Sequence, residues 1–492
     1  MTQGRAADAG TTGTFARTTV RIVGWLFLVE LVSGILQGYY VTIAHEIVDR
    51  LGVTDAEYNW FEAGQLLVSA ICVPVLAKLG DTWGHKRVLL LATVLTAAAL
   101  WWAAFAGDFW QYLVAWSLAG CYAVWLPLEI ALIFDRGRRA GNAVATTRRA
   151  AGTLVVALEA GAIAGALLAP AVLDAAGGSV PVTLIWPAAA VTIAFLAILL
   201  GVPASTPEPG RRLDGVGFVL LTLSLLLITG GLTFLRVGGP EAWWAWVVIA
   251  AGLLALWPFA RWELRQPDPA IDLRVLARRD MWPVQATAGL IGISLLGAQG
   301  PLSTFAGTDP TAVVGGEPLG YGLGLAPGPR SYVIGGYLVS LIVGAVLFAA
   351  LTRRLAPRVA LIAAALLVAV GYLGIVLLHG SLAEFLPCMV VAGLGSGALV
   401  AALPATAAAA APPGQTGIAS GLTNTTKTIG GSIASAVFGI VLATGLSASV
   451  STAASLSGYL ASWVICAAGA AVATVLLLLV PRGAFGEPDS GR

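Results

Sequence analysis

Charge is what this chain has least of. Only 11% of its 492 residues are Asp, Glu, Lys or Arg, against about 25% in a soluble domain. The hydrophobic share is 58%, and together the two figures assign the chain to a lipid bilayer. Histidine is scarce as well. His45, His85 and His379 stand far apart, and no clustered metal ligands or nucleophile set accompanies them, which argues against a metal centre and against an enzyme. Cys72, Cys121, Cys388 and Cys466 are single and lie inside apolar runs, so they form neither a disulfide framework nor a metal spacing. No Gly-x4-Gly-Lys-Ser/Thr loop occurs, which removes ATP drive by this chain alone, and no cofactor is expected. A formal net charge of +2 implies no nucleic-acid partner. The first apolar run is too long for a signal-peptide core and has no evident cleavage site, so it reads as a retained membrane span.

What the chain has in abundance is apolar runs of membrane-crossing length. Fourteen stretches of about 20 residues lie near 22–44, 58–79, 87–106, 110–133, 150–173, 182–202, 215–236, 243–262, 283–305, 330–351, 357–378, 383–405, 420–446 and 457–480. The basic residues test that count independently, because Lys and Arg concentrate on the cytoplasmic side. With the N-terminus inside, 24 of the 27 Lys and Arg fall on the inner side, and only Arg50, Arg236 and Arg330 fall outside. A miscounted span would scramble the alternation from that point on. Fourteen spans with both termini cytoplasmic, in a bacterial inner membrane, is the expectation.

The two longest inner loops, 203–214 and 263–282, flank a helix pair at 215–262. The expected organisation is a tail at 1–21, a six-helix half at 22–202, linkers with the inserted pair at 203–282, a second six-helix half at 283–480 and a tail at 481–492. Between the second and third runs lies Ala77-Lys78-Leu79-Gly80-Asp81-Thr82-Trp83-Gly84-His85-Lys86-Arg87. This loop resembles the one between helices 2 and 3 of the major facilitator superfamily, matching at Leu79, Asp81, Gly84, Lys86 and Arg87 and departing at Ala77, Thr82 and His85. Two six-helix halves related by an axis along the membrane normal are that family's arrangement. An inserted central pair is similar to its fourteen-span drug:proton antiporter branch. The resemblance implies an all-α integral membrane fold with 14 transmembrane helices. It also implies secondary transport by alternating access, and a gating role for Asp81, Gly84, Lys86 and Arg87, with Asp81 facing the start of the thirteenth span near Gly421 to Asn424.

Two departures qualify that resemblance. The branch carries an arginine and a glutamine in the fourth span, where this chain has Trp116 and Ala119. Its first span carries Asp-x-Thr-Ile-Val-Asn, where this chain has Gln37-Gly38-Tyr39-Tyr40-Val41-Thr42. The family's proton chemistry therefore does not transfer residue by residue. The fifth span keeps small residues at four-residue spacing, Gly161 and Gly165, then Pro170, a helix-packing motif similar to the fifth helix of the antiporters, with Ala169 and Leu173 where glycines are usual.

Carboxyls in hydrocarbon are costly and mark candidate pathways. Glu30 lies roughly 12 Å into the first span and Glu159 roughly 13 Å into the fifth, and these two are the proton-coupling candidates. Each is also open to the blander reading of a hydrogen bond between helices. Glu129 and Glu62, near span ends, read as structural or snorkelling groups, and Lys427 reads as an anchor near the inner end of the thirteenth span. Gln37, Tyr40, Trp116, Tyr122, Trp125, Gln285 and Gln299, with Tyr39, are candidates for a cavity suited to an amphipathic substrate. Trp243, Trp244 and Trp246 read as an interfacial belt. The leading functional expectation is proton-driven efflux of amphipathic drugs, antibiotics or secondary metabolites by a monomer in the bilayer. Uptake or facilitated diffusion, and a non-transporting sensor or assembly protein, stay open at this stage.

Overall fold

The computed structural model describes residues 3–139, 143–205, 213–267, 269, 271–314, 317–352, 354–410, 416–444 and 453–480. Side chains of Arg5, Arg17, Arg21, Arg138, Arg139, Arg148, Arg149, Arg211, Arg212, Arg353, Arg482 and Arg492, and the expected tail at 481–492, lie outside the described residues. Among the described residues, fourteen helices are long and apolar enough to cross a membrane. Spans 1 to 6 are Ile22–Thr42, Asp55–Trp83, His85–Phe105, Phe109–Phe134, Ala150–Ala175 and Val180–Gly201. Spans 7 and 8 are Gly215–Gly238 and Trp243–Glu263, and spans 9 to 14 are Trp282–Gly307, Pro327–Leu351, Pro357–Leu377, Leu382–Ala408, Gly421–Ala443 and Leu456–Leu479.

The expected spans and the observed ones agree in number and order, and the ends differ for identifiable reasons. Span 2 begins at Asp55 instead of 58 because Thr54 and Glu57 form a capping box. Glu57 N–H donates to Thr54 Oγ1 at 3.3 Å and Thr54 N–H to Glu57 Oε2 at 2.9 Å, which satisfies helix-terminal donors that an apolar count does not see. The first helix runs unbroken from Gln3 to Thr42, so the stretch expected as a tail continues span 1. A short helix, Ala44–Leu51, and a two-residue hairpin pairing Val313–Val314 with Glu317–Pro318 lie between spans.

Each six-helix half has its own core. One runs from Ile22 to Val202 and the other is built mainly on residues 275 to 480. Glycine sets the closest helix pairs. A Cβ on Gly34 would sit 1.9 Å from Leu158 O, and one on Gly161 would sit 2.1 Å from Leu31 O, so spans 1 and 5 touch backbone to backbone through Gly34, Gly38, Gly161 and Gly165. Span 9 meets span 13 in the same way, with Gly292 against Lys427 O and Gly430 against Gly289 O, each at 2.0 Å. First and fifth helices are thus fastened alike in both halves. The inserted pair lies along the seam between the halves. Leu232, Leu235 and Ala245 pack with Trp60 and Ala63 of span 2 and Ala436 of span 13.

Two spans depart from α-geometry. Span 4 tightens to a 3₁₀ turn over Gly120–Val124 and span 9 loosens to a π segment over Ile293–Gly297. Both free backbone carbonyls inside the protein, and both find donors. Ser69 Oγ donates to Gly120 O at 2.9 Å and Tyr372 OH to Ser294 O at 2.6 Å. Such breaks are tolerated at depth only when the protein supplies the missing partners, and they gather at functional sites.

Candidate functional site

The polar groups within the first half form a file. At the end nearer the basic loops, Glu30 and Glu129 are fully buried and their carboxyls face each other. Among the described residues, none of the four carboxyl oxygens receives a donor from any other group. Two carboxylates are acceptors only, so this contact becomes a hydrogen bond when one of them carries a proton. Glu129 is thus no snorkelling side chain, as its position near a span end suggested, but the partner of Glu30. Further along, Tyr122 meets Gln65, and Gln65 Nε2 donates to Ser69 Oγ at 3.4 Å. Towards the opposite end Glu62, 8% exposed, accepts from Tyr58 OH at 3.2 Å and from the Trp116 indole.

The aromatic candidates belong to this interior. Tyr40, Trp116 and Trp125 are buried, with Tyr40 and Trp116 ring centroids 4.2 Å apart and Tyr122 edge-on to Trp125 at 6.2 Å. They were expected to line a cavity between the halves. Packing against one another and against Phe61 and Tyr112 within the first half holds them away from it. Gln285 is likewise buried; its amide donates to Ala419 O at 3.2 Å and Thr423 Oγ1 at 3.0 Å, stitching span 9 to span 13. Tyr39 donates to Thr183 O at 2.9 Å. Gln37 and Gln299 are placed differently. With Gly38, Val41, Ile334 and Tyr337 they line a small gap between spans 1, 9 and 10. A second small gap lies within the second half between spans 9, 12 and 13 and carries Asn424 and Lys427.

Glu159 is half-buried on span 5, and the charge of Lys427 acts on it. Gly161 and Gly165 hold its helix against span 1, and Pro170 lies further along the same span.

At the loop joining spans 2 and 3, Gly84 adopts a φ of +96°, and a Cβ there would sit 2.9 Å from Ser205 O, so glycine is required on both counts. Lys86 N–H donates to Ser205 Oγ and Lys86 Nζ to Leu199 O, each at 3.0 Å, while Arg87 is exposed. Asp81 lies in the last turn of span 2 instead of opening the turn, and its Oδ1 is 3.2 Å from His85 Nε2. The loop is thereby pinned to the end of span 6, and Lys78 Nζ reaches Pro269 O at 2.6 Å in the linker after span 8.

On the opposite face the two halves are locked together. Arg330 Nη1 pairs with Glu46 Oε2 at 2.9 Å, Ser303 Oγ donates to Val41 O at 2.5 Å, and Tyr459 OH lies 3.4 Å from Asp55 Oδ2. Asp55 is fully buried and its Oδ1 lies 3.3 Å from His45 Nδ1. Burial pushes the His45 pKa down, but the hydrogen bond to Asp55 and the charges of Asp55 and Asp49 outweigh it and leave the imidazole above its usual range. Reading for membrane carboxyls missed this lock, although the signal was present. Arg50, Arg236 and Arg330 are the three basic residues on the wrong side of the charge alternation, and each is tied to structure: Arg50 to Ala106 O, Arg236 to Glu57, Arg330 to Glu46.

A six-plus-two-plus-six array of helices, with polar groups buried in the first half, has counterparts. The family model described as Major Facilitator Superfamily matches residues 26–435. The chain belongs to the Major Facilitator Superfamily. Among its relatives, the "Probable actinorhodin transporter" of Streptomyces coelicolor is 29% identical over 423 residues, 83% of this chain and 70% of that protein. The "Cephamycin export protein CmcT" of Amycolatopsis lactamdurans is 30% identical over 436 residues, 83% and 82% of the two chains. The solved structure of the POT family transporter PepTSo superposes with a TM-score of 0.65 at 14% identity, covering 95% of this chain and 99% of that one; it shows the fold alone. A facilitator of this architecture is a secondary transporter, whose substrate path lies at the interface of the two repeats. The gap lined by Gln37 and Gln299 lies at that interface.

Proposed function

We propose that this transporter exports amphipathic organic compounds of the antibiotic or drug type in exchange for protons, with the basic loops and both termini on the cytoplasmic side of a bacterial inner membrane. The relatives support the cargo, since their names describe transport of actinorhodin and export of cephamycin. The Glu30–Glu129 contact carries the proton part. Two carboxyls in contact in a dry interior cannot both be charged, so the pair holds a proton until water reaches it. Glu30 then carries the role expected of it through a partner, Glu129, on span 4. The file from Glu62 through Gln65 and Tyr122 gives the proton a way through the first half, apart from the substrate path between the halves.

Alternating access supplies the rest. The contacts of Arg330, Ser303 and Tyr459 close the face opposite the basic loops, and the loop holding Asp81, Gly84, Lys86 and Arg87 governs the basic face. One chain contains both halves, so a monomer suffices. Reconstituted vesicles loaded with ethidium, an amphipathic cation, test the reading. An imposed pH gradient, acidic on the side receiving the dye, is expected to accelerate ethidium movement several-fold. Equal rates with and without the gradient would defeat proton exchange.

A further inference from the structure

The fold brings two of the cysteines into contact, although they lie 49 residues apart in sequence. Cys121 of span 4 donates its S–H to the Cys72 sulfur of span 2 at 3.7 Å. Other contacts hold the two helices together at this level. A Cβ on Gly120 would sit 2.4 Å from Gln65 O, and Ser69 Oγ donates to Gly120 O. Cys121 lies within the 3₁₀ turn Gly120–Val124, directly before Tyr122, which meets Gln65 in the polar file. The two sulfurs differ in access, since Cys72 is half-buried and Cys121 is 3% exposed. Both lie near mid-membrane, roughly 17 Å and 20 Å from the basic-loop ends of spans 2 and 4 at helical rise. All four cysteines are free thiols, and Cys388 and Cys466 have no sulfur partner among the described residues.

Two sulfurs are too few for a structural zinc site, which takes four ligands. They are what thiol–disulfide exchange requires, one sulfur to attack and a second to resolve the mixed disulfide. Cys72 is the more accessible and is placed to attack, and Cys121, already in contact with it, to resolve. Depth selects the co-reactant, because hydrocarbon penalises a charged disulfide and dissolves an apolar one. We propose that Cys72 and Cys121 form an exchange site for small apolar disulfides, and that closing it ties the 3₁₀ turn of span 4 to span 2 and slows proton passage. Cys72 attacks the disulfide R–S–S–R, a mixed disulfide forms, and one R–SH leaves with the Cys72 proton. Cys121 then attacks the Cys72 sulfur, and the second R–SH leaves with the Cys121 proton. The cysteine pair loses two electrons and the small disulfide gains them. The effect on transport rests on the proton-exchange reading, since Tyr122 follows Cys121 in the turn and belongs to the file; the exchange chemistry does not. Spans 2 and 4 belong to one half, so the closed pair leaves rocking of the halves intact.

The test treats the full chain in lipid vesicles with 4,4′-dithiodipyridine, an apolar disulfide, and maps its cysteines by mass spectrometry after free thiols are blocked. A lone thiol that reacts keeps a thiopyridyl group, whereas a pair that reacts as a unit keeps none and loses two hydrogens. The expected result is a joined peptide pair containing Cys72 and Cys121, with no thiopyridyl group on either. In Cys72→Ser, Cys121 is expected to stay unjoined. A thiopyridyl group retained on Cys72 of the wild type, or no reaction at either sulfur, would overturn the proposal, and this mapping decides the matter even if the variant fails to assemble. In the same vesicles the joined protein is expected to lose gradient acceleration of ethidium efflux several-fold and to keep gradient-free counterflow within about twofold. Dithiothreitol should restore the acceleration, and Cys72→Ser, which retains Cys388 and Cys466, should be insensitive to the reagent. Joined cysteines with unchanged gradient acceleration would overturn the control of proton passage. Reduced wild-type protein that ignores the gradient would instead defeat the proton-exchange reading and leave the mapping result standing.

Discussion

The two halves share an architecture and differ in what they bury. Spans 1 and 5 and spans 9 and 13 are fastened by the same glycine contacts, and each half packs a continuous apolar core. Within that common frame the first half buries Glu30, Glu62 and Glu129. The corresponding interior of the second half is packed with rings. Phe305, Phe385, Tyr459 and Trp463 stand with centroids 5.0 to 5.9 Å apart. Lys427 of span 13 stands in that half too, beside Ile291 of span 9 and Leu399 of span 12. The lesson is a division of labour. The buried carboxyls that the proposed proton exchange needs lie in the first half, and the corresponding interior of the second half is aromatic.

The largest effect should come from breaking the asymmetry at its source. Glu30→Gln or Glu129→Gln is expected to reduce pH-driven ethidium efflux to near background, while a second-half carboxyl outside the membrane interior, Glu384→Gln, leaves it within about twofold. Next in size is the lock on the face opposite the basic loops. Arg330 is 2% exposed, and removing one member of a buried ion pair costs about 3–5 kcal/mol. Arg330→Gln is thus expected to shift the population toward the state open on that face, read as faster maleimide labelling of a cysteine introduced at Leu302.

The shared frame can be probed by matched substitutions. Gly161→Val and Gly292→Val each place side-chain atoms where a backbone carbonyl lies, at 2.1 and 2.0 Å from the first added carbon. Both are expected to destabilise by about 1–3 kcal/mol, seen as similar drops in thermal unfolding temperature. Unequal drops would show that one half depends more on its fastening than the other. A smaller effect concerns pH. The His45 pKa is raised in the locked state, so protonated His45 stabilises the lock fully below its unperturbed value, about 6.5, and that contribution fades as pH rises through the raised value. Asp55 and Asp49 hold the imidazolium and Arg330 opposes it. Labelling at Leu302→Cys should rise a few-fold between about pH 6 and about pH 8, and His45→Gln should flatten that rise. Asp81→Asn, finally, should insert normally and transport more slowly, read as a reduced initial rate at equal expression.

Span count and order were legible because membrane length and positive-inside bias are one-dimensional signals that a sequence displays directly. Span ends were less so. The early start of span 2 was written in Thr54 and Glu57, a capping signature, and not in the apolar run. The site was legible one residue at a time but not in pairs. Glu30 stood out as a buried acid, whereas Glu129 looked peripheral because its depth along span 4 says nothing about what faces it. Tyr40, Trp116 and Trp125 looked like cavity groups because aromatic residues suit both a cavity and a core, and only the packing within the first half separates the two. Arg330 carried a usable signal in its wrong-side charge, but its partner Glu46 lies 284 residues away in sequence, beyond the reach of any spacing rule.

The central claim, that the Glu30–Glu129 pair couples the gradient and does not move the substrate, is tested most directly by comparing two modes of transport in one vesicle preparation. Ethidium counterflow without a gradient requires only rocking, and gradient-driven efflux requires coupling as well. The account predicts that the double variant Glu30→Gln with Glu129→Gln keeps counterflow within a few-fold of wild type and loses acceleration by the pH gradient. Full gradient acceleration in the double variant would contradict it.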